Sequence, residues 1–427
     1  MTHATEDVLA RLGVAVPEIL LPAAAVDPTK WAVIACDQHT SEPDYWHRVA
    51  GIVADAPSTL RMIFPEVYLN DGDADSRIER IQQTMHDYLS TGVFRAPLQS
   101  MVLTHRSTPH VARRRGLLVA LDLDRYDYRP GARALIRASE ATIVDRLPPR
   151  VRVRSGAPLE LPHVLVLIDD PDDSLFCGLD HASLPELYSA ELMLDGGTVS
   201  GYQLGPDEQA HVARSLDALH SGGARETSFL FAVGDGNHSL ATAKQVWEQT
   251  KRSLTGDTSG HPGRYALVEL VNVYDPGLRF EPIHRHVRSA ISDLDAWIAA
   301  LAQAMDATVR ECGADQMMED IHDNPTTIGF VARNRQGVFV LHNEQQLAVT
   351  ALQEALDQID GIDVDYIHGS ETATALGRDQ GVALLLPAFD ERLLFTTVAN
   401  DGVLPRKAFS LGEAEEKRYY FEARRVF

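Results

Sequence analysis

The stretch that most constrains this chain is Phe231-Ala232-Val233-Gly234-Asp235-Gly236-Asn237-His238-Ser239-Leu240. The apolar run from Ser228 to Val233 predicts a strand, and Leu240, Ala243 and Trp247 follow it at helical spacing. A strand that passes into a helix within a few residues must turn sharply. Two glycines flanking a carboxylate suit that turn, because glycine takes positive φ without steric cost. Such a turn aims backbone N–H groups and the small polar side chains of Asp235, Asn237, His238 and Ser239 at a ligand before the helix start, where anions are favoured. A carboxylate and an imidazole at this spacing can hold a divalent ion, position a nucleophile or contact phosphate.

The rest of the pattern mixes helices and strands. Trp31 to Cys36 reads as a buried strand with a polar end, Asp37-Gln38-His39-Thr40-Ser41. Ile78, Ile81, Met85 and Leu89 stripe a helix from Ser76 to Gly92, and Val212, Leu216 and Leu219 stripe another from Asp207 to His220. Strands are expected over Gly116–Leu123, His163–Ile168, Arg264–Val273, Thr327–Ala332, Val338–His342, Val382–Leu386 and Leu393–Val398, with a turn at Asn334–Gly337. Helices are expected at Leu294–Met305 and Val349–Gln358. Without a strict βαβ rhythm, the expected fold is α+β, a mixed α/β body. A boundary in 200–228 would divide it into an N-terminal region, 1–205, with an arginine-rich segment, and a C-terminal region, 206–427, carrying the motif.

Bulk properties exclude several classes. A formal net charge of −22 argues against a nucleic-acid-binding face. Cys36, Cys177 and Cys312 are widely spaced and odd in number, which fits neither a disulfide framework nor a structural zinc site and suggests a reducing compartment. No apolar run reaches the roughly 20 residues of a membrane span, and Glu6 and Asp7 precede any apolar run, unlike a signal peptide. The expectation is a cytoplasmic protein acting on a small molecule, without nucleic acid or membrane, as a possible homo-oligomer. No P-loop, kinase signature set, GxSxG elbow or HExxH is present.

Further candidates lie outside the turn. In an extended Pro282–His286 segment, His284 and His286 share one face and Arg285 the other, and anion or metal binding is one reading of them. Arg137 and Glu140 open a run that continues with Arg146, Arg150, Arg152 and Arg154; Arg137 is a candidate anion clamp and Glu140 a candidate base or ion-pair partner. Asp37, Gln38, Thr40 and Ser41 are candidate substrate-binding residues. Lys417-Arg418-Tyr419-Tyr420-Phe421 reads mainly as packing and surface.

Together, Ala35–Ser41, Glu160–His163, Gly234–His238, Asp275–Leu278 with Pro282–Arg285, and Asp365–Gly369 resemble the bacterial and archaeal family called domain of unknown function 1015, over nearly the whole chain. That family's central Asp-Gly-x-His-Arg motif is similar to the strand-to-helix motif of the ParB and sulfiredoxin superfamily, which includes kinases of free serine. The resemblance implies a ParB/sulfiredoxin-like core with additional mixed sheet elements, ATP or ADP with Mg²⁺ as cofactors, and phosphoryl transfer to a small hydroxyl metabolite. The resemblance puts the nucleotide at the Gly234–Ser239 turn; with the candidates above, the expected assignment has Gly234, Gly236, Asn237, Ser239, Arg137, His284 and Arg285 at the nucleotide and phosphates, Asp235 at Mg²⁺, and Glu140, Asp235 and His238 in catalysis. Ser239 stands where the motif usually has arginine. A non-catalytic nucleotide- or metabolite-binding protein and a metal-dependent phosphohydrolase using Asp235, His238 and His284 are the alternatives.

Overall fold

The computed structural model describes residues 3–222, 229–288, 291, 293–400 and 402–427. Two compact units divide the chain: Met1–Leu278 with Phe395–Gly402 and Gly412–Phe427, and Arg279–Leu394 with Val403–Leu411. Residues 200–222 of the stretch in which a boundary is expected lie inside the first unit, and 223–228 lie outside the described residues. Among the described residues no helix is long and apolar enough to cross a membrane.

The elements of the first unit used below are β1 (Val33–Ile34), α1 (Ala74–Ser90), β2 (Val102–Ser107), β3 (Arg114–Asp122), β4 (Ile136–Ala138), α2 (Leu147–Arg154), β5 (Leu165–Ile168), β6 (Glu186–Leu192), β7 (Gly197–Gln203), α3 (Pro206–Ser221), β8 (Phe231–Asp235), α4 (Asn237–Ser253) and β9 (Tyr265–Asn272). They build a mixed sheet in the order β6-β7-β2-β3-β9-β5-β8-β4. β5 runs parallel to β9 and β4 parallel to β8, whereas β5 and β8 are antiparallel. The fold is therefore mixed α/β.

Both faces of the central strands β3, β5 and β9 are covered, which is why they read as continuous apolar runs, whereas β6 and β7, at one end of the sheet, alternate. On β3, Leu117, Val119 and Leu121 enter one core with Val212 and Leu216 of α3 and Leu240, Ala243 and Trp247 of α4. Leu118 enters the other, with Trp31, Trp46, Ile81 and Met85. Each such side chain contributes on the order of 1.5–3 kcal/mol by leaving water. The helical stripe expected on α1 is seen: Ile81 and Met85 are buried, and Ile78 and Leu89 pack against the same core.

The second unit is an antiparallel sheet in the order β11-β13-β12-β15-β10-β14, formed by β10 (Phe280–Val287), β11 (Ala307–Glu311), β12 (Thr327–Ala332), β13 (Arg335–Leu341), β14 (Val364–His368) and β15 (Val382–Leu385).

Three local expectations need correction. Only Val33–Ile34 of the Trp31–Cys36 run is strand, because Asp27 accepts the Thr29 N–H at 3.0 Å and, with Pro28, starts a short helix that ends on Trp31. Leu393–Val398 is not a strand: Leu394–Asn400 is a helix that buries Leu394, Phe395 and Val398, and a short apolar run does not distinguish the two. The turn between β12 and β13 is only Arg333-Asn334, with Arg333 at φ 53°, so Arg335 to Gly337 belong to β13.

The C-terminal segment ties the first unit together. β16 (Tyr419–Tyr420) pairs with β1, Ala423 bridges Leu20, and β17 (Arg424–Arg425) pairs with Leu159–Glu160. Its charged side chains are buried in compensating sets. Arg424 Nε donates to Glu160 Oε1 at 2.6 Å, Arg154 donates to the other oxygen of Glu160, and the Leu267 N–H adds a third donor at 2.9 Å. Arg418 bonds Glu422 at 2.6 Å and lies 3.2 Å from Glu269, and the Tyr188 hydroxyl donates to Glu422. Gly116 is required here, since a Cβ would stand 2.0 Å from Glu269 Oε1. Burial raises the Glu160 carboxyl, but Arg424 and Arg154 outweigh it and hold it below its ordinary value.

Glu160→Gln should therefore lower the unfolding free energy by about 3–5 kcal/mol at neutral pH, read from denaturant midpoints. Because the native pKa lies below the ordinary 4.5, Glu160's contribution is present above that value. The difference between variant and parent should shrink as pH falls through the lowered native value.

Candidate functional site

β8 ends at Asp235, Gly236 takes φ 78°, and α4 begins at Asn237 with this glycine, which has no side chain to cap it, as its N-cap. A Cβ at Gly236 would lie 3.0 Å from Val164 Cγ2 and 3.2 Å from Val164 Cα, so both space and conformation select glycine. The sheet then decides what surrounds the turn. β4 runs parallel to β8 with Ala138 opposite Val233, so Ser139 and Glu140 leave β4 at the edge where Gly234 and Asp235 leave β8. The Ser139 hydroxyl donates to the Val233 carbonyl. β5 runs the other way, with Leu165 opposite Asp235, which brings His163 to the same edge.

The C-terminal segment completes this edge. Lys417 Nζ lies 3.1 Å from Asp235 Oδ2, while the Gly236 N–H donates to Asp235 Oδ1 at 2.9 Å. Tyr420 accepts the Cys36 N–H at 3.1 Å and stands 2.9 Å from His163 Nδ1. On the opposite side of that ring, His163 Nε2 faces Asp37 Oδ2 at 3.8 Å. The Gln38 amide donates to Asp37 Oδ1 at 3.0 Å. Burial raises the Asp37 carboxyl, but His163, Gln38 and Lys417 together hold it below its ordinary value. Behind it, Arg150 of α2 grips both oxygens of Glu66, and the Glu66 N–H donates to the Cys36 carbonyl at 2.8 Å. Burial still raises Glu66 above its ordinary value despite Arg150. Burial also raises the Cys36 thiol strongly, with Asp37 and Glu66 adding to it, so Cys36 is no nucleophile here.

The polar residues of the turn are specifically oriented. His238 Nε2 accepts the Ile143 N–H at 3.2 Å, which requires a lone pair there and puts the ring proton on Nδ1. Asn237 is 9% exposed; its Nδ2 approaches the Val233 carbonyl at 3.5 Å, and its Oδ1 has no donor among the described residues. A helix start with a glycine N-cap and a lysine ammonium suit an anionic ligand, and the buried Asn237 Oδ1 suits a ligand hydroxyl or ammonium.

The remaining expected residues are placed differently. Arg137 is buried on β4, donates from Nε to the Ala134 carbonyl at 3.0 Å and stacks on Phe229, 4.5 Å from its ring centre. The arginines that follow serve ion pairs: Arg150 with Glu66, Arg152 with Asp75 and Arg154 with Glu160. Thr40 and Ser41 are exposed beyond Asp37 and Gln38, where His39 stacks on Tyr45. His284 and Arg285 belong to the second unit, between β14 and β15. His284 Nδ1 accepts the Leu386 N–H at 3.1 Å, and Arg285 bonds Gln353 and the Ile283 carbonyl over the Tyr366 ring. Among the described residues no three His, Cys, Asp or Glu gather as a metal site, and Asp235 offers a single carboxylate. His163, Lys417 and Tyr420 are the site residues that sequence reasoning did not select. Their signal was a family motif ending at His163 and the basic–aromatic run Lys417–Phe421 near the C-terminus.

The family model described as Protein of unknown function (DUF1015) matches residues 20–364. No curated protein matches the chain. Among solved structures, a conserved hypothetical protein from Pyrococcus furiosus is similar at 12% identity and a TM-score of 0.35, covering 72% of this chain and 90% of that one. A free serine kinase in complex with AMP is similar at 10% identity and a TM-score of 0.39, with the same shares covered. C-terminally truncated SbnI from Staphylococcus aureus is similar at 11% identity and a TM-score of 0.38, covering 69% of this chain and 82% of that one.

His284 carries a measurable consequence of its burial. Desolvation, with repulsion from Arg285 and His368, lowers it to about 4 from an ordinary 6.5. The unfolded chain therefore takes up the proton first as pH falls, and stability present in full above 6.5 should drain away between 6.5 and 4, by on the order of 3 kcal/mol. Urea unfolding across that range should show the loss, and His284→Gln should flatten it.

Proposed function

The chain belongs to the DUF1015 family, and we propose that its first unit is a nucleotide-dependent phosphotransferase acting on a small hydroxyl metabolite, with free serine the first acceptor to test. One observation carries this reading: a helix start behind a left-handed glycine, with a lysine ammonium 3.1 Å from the carboxylate that precedes it. Phosphoryl transfer asks a protein chiefly to position the reactants and to neutralise charge on the phosphoryl oxygens, and these are the groups that do so.

In this reading the N–H groups of Asn237 and Ser239 hold phosphate oxygens, and Lys417 supplies positive charge where the family motif usually carries arginine. Ser239 adds a hydroxyl donor. His238, with its proton on Nδ1, acts as a neutral donor rather than a cation. Mg²⁺ is commonly bound by one or two carboxylates plus substrate phosphates, which a single carboxylate at this turn suits, and Asp235 is the residue that would hold it. When bound, the ion neutralises phosphate charge. Asn237 Oδ1 accepts a donor from the acceptor molecule. Glu140 and Asp37 are the carboxylates at hand for its proton.

Ser239 favours a second reading, in which the same turn binds a nucleotide without turnover. A thermal-shift and turnover screen with ATP, ADP and GTP, each with Mg²⁺ and with pooled hydroxyl metabolites including serine, separates the two. Stabilisation with acceptor-dependent loss of a phosphoryl group supports the phosphotransferase, and stabilisation alone supports the binding protein. Asp235→Ala and Lys417→Met should each lower turnover by roughly 100-fold or more and weaken the nucleotide-induced shift. If alanine at both Asp235 and His238 leaves nucleotide binding and turnover intact, the assignment is wrong.

A further inference from the structure

We propose that Asp37 is the general base that takes the acceptor hydroxyl proton, and that His163 and Tyr420 are the residues that position it. The inference rests on the phosphotransferase reading and adds the proton's destination. Its support is the geometry of the row Tyr420–His163–Asp37.

Tyr420 is buried, and burial, with Cys36 and Asp37 nearby, raises its phenol far above the ordinary value, so it keeps its proton. Its oxygen already accepts the Cys36 N–H and stands 2.9 Å from His163 Nδ1, to which it donates when the ring is neutral and from which it accepts when the ring is charged. A neutral ring with its lone pair at Nδ1 carries its proton on Nε2, and a charged ring carries one there as well. In both states an N–H faces Asp37 Oδ2, so His163 orients the carboxylate and is not itself the base. The remaining tautomer would set a bare nitrogen lone pair against a carboxylate.

Two of the neighbouring carboxylates are engaged more closely. Glu66 is held at two points by Arg150, and Asp235 faces Lys417 at 3.1 Å. Among the described residues Asp37 Oδ2 has only the 3.8 Å approach of His163, and the Asp37 side chain keeps 27% exposure, enough for a hydroxyl to reach it. The groups facing it are His163, Gln38, Lys417, Glu66, Cys36 and Tyr420, with Arg150 behind Glu66. In the step, the acceptor oxygen bonds to the terminal phosphorus of the donor nucleotide. The bond from that phosphorus to its bridging oxygen breaks, the electron pair leaves with the shortened nucleotide, and the hydroxyl proton passes to an Asp37 oxygen.

The test uses the full chain with a nucleotide, Mg²⁺ and the acceptor found in the screen. Asp37→Asn should lower kcat by roughly 100-fold or more and leave the nucleotide-induced thermal shift unchanged. His163→Gln should keep part of the activity and move the acid limb of the kcat profile to higher pH, because the carboxylate loses the partner that most favours its charge. Tyr420→Phe should move that limb in the same direction. Wild-type turnover with an unimpaired Asp37→Asn enzyme overturns the assignment of the base and leaves the phosphotransferase standing. An acid limb unmoved in His163→Gln also overturns it, even where Asp37→Asn fails to fold. A wild-type protein without nucleotide-dependent turnover overturns both readings.

Discussion

The first unit depends on how its C-terminal segment buries charge. Arg424 and Arg154 enclose Glu160, while Arg418 lies between Glu269 and Glu422, all within an otherwise apolar interior. Ions removed from water are costly unless each has a partner at short range, and removing one member strands the others. Such a lattice is an uncertain source of net stability, but it tolerates few alternative arrangements. It sets the register of β16 on β1 and of β17 on Leu159–Glu160, because a shift of one residue would move Arg424 off Glu160.

That register has a chemical consequence. Lys417 and Tyr420 flank Arg418 in sequence, so seating Arg418 on Glu269 and Glu422 also delivers Lys417 to Asp235 and Tyr420 to His163. The structural ion pairs and the candidate site are held by the same few residues. The turn at Gly234–Ser239 supplies the backbone donors, and the last part of the chain supplies the ammonium and the phenol beside them.

The turn itself was legible from local chemistry, because a strand-to-helix reversal with a left-handed glycine is specified by neighbours in sequence. So were the helix stripes on α1 and α3 and the mixed α/β class. Residues whose role depends on distant partners were not legible. Arg137 carries a formal charge that suggests an anion clamp, yet it stacks on Phe229 and donates to Ala134. His284 and Arg285 read as ligands for anions or metals, yet they form part of a buried strand with partners in their own sheet. Short apolar runs were ambiguous for a different reason. Trp31–Cys36 and Leu393–Val398 have too few residues for a period of 2 to be told from one of 3.6.

The amino-acid order alone determined the local geometry around Asp235: glycine where φ is positive, a helix start without a side-chain cap, and small polar groups on its first turn. These follow from backbone sterics and hydrogen-bonding capacity within a few residues. The tertiary structure decided which charges meet there. Asp37, His163 and Tyr420 are separated by well over a hundred residues at each step, and sequence carries no distance between such positions. Only the pairing of β5 with β8, and the burial of Arg418 and Arg424 against fixed carboxylates, brings them to one edge of the sheet.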